Sequence, residues 1–167
     1  QRAYDQVMHD CCLQNLPVVI TLDRSGVVGD DGPTHHGVFD FAYLRHLPNL
    51  VVMAPADENE LARMMATALK LNSPSTIRYP RGEVPGAPMD PVLEPLVPGK
   101  ARVLREGNDL TLISIGTQLP VAMAVADRLE KEAGVRATVV DARFVKPLDE
   151  GLILELARRT GRIITLE

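Results

Sequence analysis

This chain of 167 residues has no tryptophan, and aromatic residues make up only 4% of it. Any core must therefore be built from Val, Leu, Ile, Ala and Met, which an apolar fraction of 46% supplies. Cysteine is scarce: Cys11 and Cys12 are the only two, and they are adjacent. Neighbouring cysteines rarely pair, so a disulfide framework is excluded and a reducing, cytoplasmic setting is expected. Both read as small core residues of a helix. Excess positive charge is missing too. The formal net charge is −4, which removes the electrostatic case for nucleic acid or a membrane surface. An anionic substrate would need arginines gathered locally. No signal-peptide pattern and no membrane-spanning apolar run is present. Internal repeats and low-complexity tracts are also lacking.

What is present is concentrated in one stretch. The apolar run Pro17–Leu22 leads into Asp23-Arg24-Ser25-Gly26-Val27-Val28-Gly29-Asp30-Asp31-Gly32-Pro33-Thr34-His35-His36-Gly37. Its glycines permit positive φ and close backbone approach. Its Asp, His and Arg supply acid/base and anion-binding groups. A bare turn explains the Asp-Gly pairs, but turns need neither His nor Arg. A loop at the carboxyl end of a strand is where open α/β sheets bind ligands.

The remaining pattern alternates strands and helices. Residues 2–15 read as a helix, with Ala3, Val7, Cys11 and Leu13 near helical spacing. Pro17–Leu22 reads as a buried strand, Val38–Leu47 as a short helix and Asn49–Ala54 as a second strand. Asp57 or Ala56 opens an amphipathic helix to about Leu71, with Asp57, Glu58 and Glu60 suiting the positive end of its dipole. Ser75–Tyr79 is a third strand. Six of the 13 prolines then fall between Pro80 and Pro98, which excludes helix and central strand and predicts an extended connection between domains. Beyond it, Lys100–Arg105 reads as an edge strand and Leu110–Ile115 as a buried one. Pro120–Ala133 is a helix with Gly134 as its stop, followed by strand Val135–Asp141, helix Leu148–Thr160 and strand Ile163–Leu166. Such alternation predicts an α/β fold of parallel sheets with helices on both faces.

Arg24 and Arg81 both follow strands, so both should emerge at the same edge of one sheet. Two guanidiniums converging there would clamp a phosphate, because the planar fork matches phosphate oxygens. His35 supplies an imidazole, a group suited to proton transfer. Asp31 could orient the His35 ring or bind a substrate hydroxyl. Competing chemistries fit poorly. The His, Asp and Cys residues match no zinc spacing, no Gly-x-Ser-x-Gly elbow exists, and Gly116-Thr117-Gln118-Leu119-Pro120 is not a dinucleotide fingerprint.

The loop's Gly-x-Asp-Gly-x-Thr-His pattern resembles that of the thiamin-diphosphate-dependent transketolase superfamily. Further segments narrow the resemblance. They are Gln1-Arg2-Ala3-Tyr4-Asp5-Gln6, Asp23-Arg24-x-Gly26, His35-x-Gly37-x-Phe39-Asp40 and Pro55-x-Asp57-Glu58-Asn59-Glu60, then Arg78-Tyr79-Pro80-Arg81-Gly82 and Arg143-Phe144-Val145-Lys146-Pro147-Leu148-Asp149. Together they point to the branch that condenses pyruvate with D-glyceraldehyde 3-phosphate, losing CO₂. The resemblance covers essentially the whole chain. It implies a pyrimidine-binding domain over residues 1–90, a proline-rich linker over 91–99 and part of a carboxy-terminal domain over 100–167.

The resemblance also implies roles. Arg24 and Arg81 would hold the aldehyde's phosphate, with Arg2 as a third such residue. His35 and Asp31 would face the cofactor adduct and substrate oxygens, whereas His36 is expected to have a solvent or packing role and Arg78 to form a structural ion pair. Thiamin diphosphate and Mg²⁺ are expected as cofactors, and a homodimer as the intact assembly. The Gly-Asp-Gly…Asn motif for diphosphate and Mg²⁺ has no counterpart here, nor has the glutamate that activates the aminopyrimidine. An internal fragment, inactive alone, is therefore expected. Alternatives from the same superfamily are a transketolase or a 2-oxoacid dehydrogenase β-subunit. An alternative of another class is a non-catalytic subunit that completes a partner's cofactor site.

Overall fold

The apolar runs become strands and the amphipathic stretches become helices in a computed structural model, which describes residues 2–167. In the first α/β unit, β1 (Val19–Leu22), β2 (Val51–Met53) and β3 (Ser75–Arg78) form a parallel core with β3 between the other two. In the second, β5 (Leu110–Ser114) lies between β6 (Ala137–Asp141) and β8 (Ile163–Leu166), parallel to both.

Neither sheet is purely parallel. β4 (Arg102–Arg105) runs antiparallel along the outer side of β6. β7 (Phe144–Lys146) runs antiparallel to β2. Sequence reading missed β7, because three residues between a turn and a proline carry too little periodicity. Its effect is large: the chain returns from the second unit to add an edge strand to the first sheet.

Helices cover both faces of each sheet. In the first unit α3 (Glu58–Lys70) packs Met64 and Ala68 against Met53, Ile77 and Phe144. The opposite face carries α2 (Asp40–Leu44), with Phe41 and Leu44 against Leu50, Val52 and Ala54. In the second unit α4 (Leu119–Ala133) packs Ala122 and Ala126 on Leu112 and Val139. The adjacent residues Ile113 and Val140 point to the other face, where α5 (Glu150–Thr160) places Leu156. That alternation is the period of two of a strand buried on both faces.

The helix ends follow their capping residues. Asp57 accepts the Glu60 amide at 2.7 Å, while the Glu60 carboxylate accepts the Ala56 amide at 2.9 Å. This is a close relative of the capping box, legible in the Asp-x-x-Glu spacing. Asp149 caps α5, and Gly134 ends α4 at φ 66°, as a left-handed stop requires.

Two expectations need correction, and a third gains detail. The amino-terminal helix α1 is α-helical only over Tyr4–Gln6 and continues as a π-helix over Val7–Cys12. Its wider turns place Tyr4, Val7, Met8 and Cys12 on the core face, leaving Leu13 at 57% exposure. β1, expected to be buried, is an edge strand with Thr21 exposed. The proline-rich segment 80–98 has no regular structure, yet it does not hang free. It runs alongside α3 in the same direction: the Ala87 amide donates to Glu58 at 2.7 Å, the Asp90 amide to Asn59 at 2.9 Å, and the Leu96 amide to Thr67 Oγ1 at 2.7 Å. Leu96 is buried in the α3 core.

Candidate functional site

The Asp23–Gly37 loop is closed by its own backbone. The Gly37 amide donates to the carbonyls of Arg24 (3.0 Å) and Gly26 (2.9 Å), and the Gly26 amide returns a bond to Gly37 at 3.2 Å. A Cβ at Gly37 would lie 2.5 Å from the Arg24 carbonyl oxygen and 2.6 Å from Asp40 Oδ2, so only glycine fits. Arg24 takes φ 60°, an uncommon conformation for a non-glycine residue. The Val28 amide donates to His36 Nδ1 at 2.9 Å. That bond requires an unprotonated Nδ1, so His36 serves the loop.

Beneath the loop lies a buried ionic base. Arg78, 8% exposed, donates from Nε to Asp40 Oδ2 at 3.3 Å and from Nη2 to the Gly37 carbonyl at 2.6 Å. Its guanidinium sits 4.2 Å over the Phe41 ring, a cation–π contact. Asp40 also accepts the Tyr43 hydroxyl at 2.6 Å. Burial, and then this bond to Asp40, push the Tyr43 phenol well above its ordinary value. This is the structural pair expected for Arg78.

The candidate site residues lie above that base. Arg24 and Arg81 converge, and Asp31 lies between them. Arg81 Nη1 donates to both Asp31 oxygens at 2.8 Å. Arg24 Nε lies 2.8 Å from Asp31 Oδ2, an ion contact without hydrogen-bond alignment. The hydrogen bond from Arg81, assisted by the charges of Arg24, Arg81 and His35, holds the Asp31 carboxyl below its usual range. Asp31 therefore engages the arginines. His35 Nδ1 instead pairs with Thr34 Oγ1 at 3.1 Å.

Arg2, Asp23, Arg24, Thr34, His35 and Tyr43 line a cleft of about 470 Å³. Arg81 lines a neighbouring, more apolar cleft of about 490 Å³ with Asp23, Tyr79 and Leu61. The two guanidiniums thus meet across the wall between the clefts, both reaching one anionic position. Among the described residues no group of three or more His, Cys, Asp or Glu is arranged to hold a metal ion. No helix of the described residues is long and apolar enough to cross a membrane.

Comparison with known proteins gives the family. Residues 1–87 match the family model of the transketolase pyrimidine-binding domain, and residues 99–167 that of the transketolase C-terminal domain. The chain belongs to the transketolase family. Its similarity is high to proteins named 1-deoxy-D-xylulose-5-phosphate synthase. It is 59% identical over 167 residues to the one from Desulforudis audaxviator and 60% identical over 168 residues to synthase 1 from Geobacter sulfurreducens. The matches cover 100% of this chain and 26% of each relative, so the chain spans about a quarter of their length. Among solved structures, a split-gene transketolase described as an inactive β4 tetramer superposes with a TM-score of 0.88 at 34% identity, covering 99% of this chain and 53% of that one. A transketolase variant from Pichia stipitis shares the fold, with a TM-score of 0.72 at 20% identity.

Proposed function

We propose that this chain forms part of a thiamin-diphosphate-dependent synthase. The enzyme would join pyruvate to D-glyceraldehyde 3-phosphate with loss of CO₂, giving 1-deoxy-D-xylulose 5-phosphate. Residues 1–90 would be the pyrimidine-binding domain, 91–99 the linker and 100–167 part of the carboxy-terminal domain. The observation that carries the reading is the convergence of Arg24 and Arg81 on one anion, each within 2.8 Å of the Asp31 carboxylate. An anion-sized position between two guanidiniums suits a phosphate. Arg2, on the same cleft as Arg24, would supply a third positive charge. His35, exposed on that cleft, would hydrogen-bond or exchange a proton with substrate oxygens. Asp31 would set the spacing of the arginines and meet the acceptor's hydroxyl.

Thiamin diphosphate would supply the carbanion chemistry when bound. The described residues offer it no Mg²⁺ ligand set; diphosphate and Mg²⁺ would be held by another part of the enzyme. A homodimer and a cytoplasmic location belong to this reading.

A second reading has support of its own. The split-gene transketolase is described as an inactive β4 tetramer, and nearly all of this chain superposes on 53% of that one. Here the chain would be a subunit that completes a partner's cofactor site and is inactive alone.

Substitution of Arg81 in the complete enzyme tests the first reading. Arg81→Ala should raise KM for the aldehyde phosphate about tenfold or more, the scale of a lost charge-assisted contact, with KM for pyruvate unchanged. An unchanged KM for the aldehyde phosphate overturns the clamp.

A further inference from the structure

A second charge cluster lies outside the loop, at the joint between the two α/β units. Glu60 comes from the first turn of α3, Arg102 from the start of β4, Asp141 from the end of β6 and Arg143 from the turn before β7. Arg143 Nε donates to Glu60 Oε1 at 2.7 Å, and Arg102 Nη2 to Asp141 Oδ2 at 3.2 Å. Cross contacts of 3.8 Å join Arg102 to Glu60 and Arg143 to Asp141. The Arg143 amide donates to Asp141 Oδ1 at 3.2 Å.

The two sides of the cluster differ in exposure. The Glu60 and Asp141 side chains are 4% and 0% exposed, whereas Arg102 retains 38%. Two buried carboxylates thus share two guanidiniums, one of them wet. Water screens the attraction of Arg102 but reaches neither carboxylate, so the second buried negative charge is the costly one.

We propose that Glu60, Arg102, Asp141 and Arg143 form a proton-operated latch, in which uptake of one proton by the carboxylate pair tightens the joint between the units and its loss loosens it. The inference is independent of the synthase reading. The four residues are the charged groups that face the pair from α3, β4, β6 and the turn before β7. Burial, and then the charge of Glu60, push the Asp141 carboxyl up to about 7, against the opposing pull of Arg102 and Arg143.

The sign of the effect follows. In the closed joint the carboxyl keeps its proton up to about neutral pH, while in the open joint it loses it in the ordinary carboxylate range. Closure is therefore strongest at acid pH, weakens as pH rises toward 7, and levels off above it.

The Ala54 amide reports on the joint, because it donates to the Arg143 carbonyl at 3.1 Å across it. Amide hydrogen exchange in the full chain, corrected for intrinsic exchange, is the test. Raising pH from about 6 to about 8 should lower Ala54 protection about tenfold, the consequence of one proton released near 7. Protection at Leu112, in the core of β5, should stay constant. Asp141→Asn should remove the pH dependence at Ala54. Glu60→Gln, which keeps the acceptor for the Ala56 amide, should reduce it and serves if Asp141→Asn does not fold. Ala54 protection independent of pH in the native chain overturns the proposal. So does a fall shared equally by Leu112, which would mean global unfolding, or a pH dependence retained in both variants.

Discussion

The two α/β units share a plan yet use the carboxyl ends of their strands differently. In the first, the chain leaves β1 into fifteen residues carrying six ionisable side chains: Asp23, Arg24, Asp30, Asp31, His35 and His36. In the second, it leaves β5 into Ile115-Gly116-Thr117-Gln118, which carries none. Charge in the first unit is also layered. Arg24 and Arg81 are 38% and 55% exposed over Asp31, whereas Arg78 and Asp40 are 8% and 7% exposed below them. The upper layer can exchange one anion for another at little cost to stability, since solvent reaches and screens its guanidiniums. The lower layer cannot lose a member without stranding a buried charge. A site needs both: groups free to change partners, on a base that is not.

The strongest way to break this comparison is to remove the base. Asp40→Ala leaves the Arg78 guanidinium buried without its close carboxylate, and should cost about 3–5 kcal/mol. Denaturant unfolding of the full chain measures it. A loss within the range of a surface pair would mean that the two layers do not differ.

Gly37→Ala comes next. Its new methyl group would press on the Arg24 carbonyl at 2.5 Å, and such overpacking costs about 1–3 kcal/mol. The displacement would fall on Arg24, so anion binding should weaken together with stability. Gly29→Ala is the control. Gly29 is exposed, needs no positive φ and has nothing within 4 Å of an added Cβ, so it should lose about 0.5 kcal/mol or less. Equal losses in the two variants would show that close approach at Gly37 does not lock the loop.

The layering explains what was legible in the sequence. Strands such as Leu110–Ser114 and helix α3 announce themselves by period and caps, because burial imposes both. The convergence of Arg24 and Arg81 could be anticipated from their places after parallel strands. That Asp31 would turn to the arginines and away from His35 could not, since side-chain pairing across fifty residues leaves no periodic trace. The joint cluster was missed for the same reason. Glu60 reads as a helix-dipole residue and Asp141 as the end of a strand, and only β7, itself too short to predict, brings them together.

The smallest expected effect gives the sharpest comparison within the upper layer. Arg81 donates two aligned hydrogen bonds to Asp31, whereas Arg24 offers a close charge without alignment. Charge-assisted hydrogen bonds exceed unaligned contacts between the same charges. The Asp31 carboxyl, held below its ordinary 3.8 mainly by the bond from Arg81, should therefore rise more in Arg81→Ala than in Arg24→Ala. Carboxyl carbon chemical shifts followed through an acid titration give both values. The sign is that of a depressed carboxylate: the pairing is intact above the ordinary value and is lost as pH falls through the lowered one. Because the groups are exposed, the global unfolding midpoint near neutral pH should barely move in either variant. A larger rise in Arg24→Ala would make proximity of charge, rather than the aligned bonds, the force that sets the anion's place.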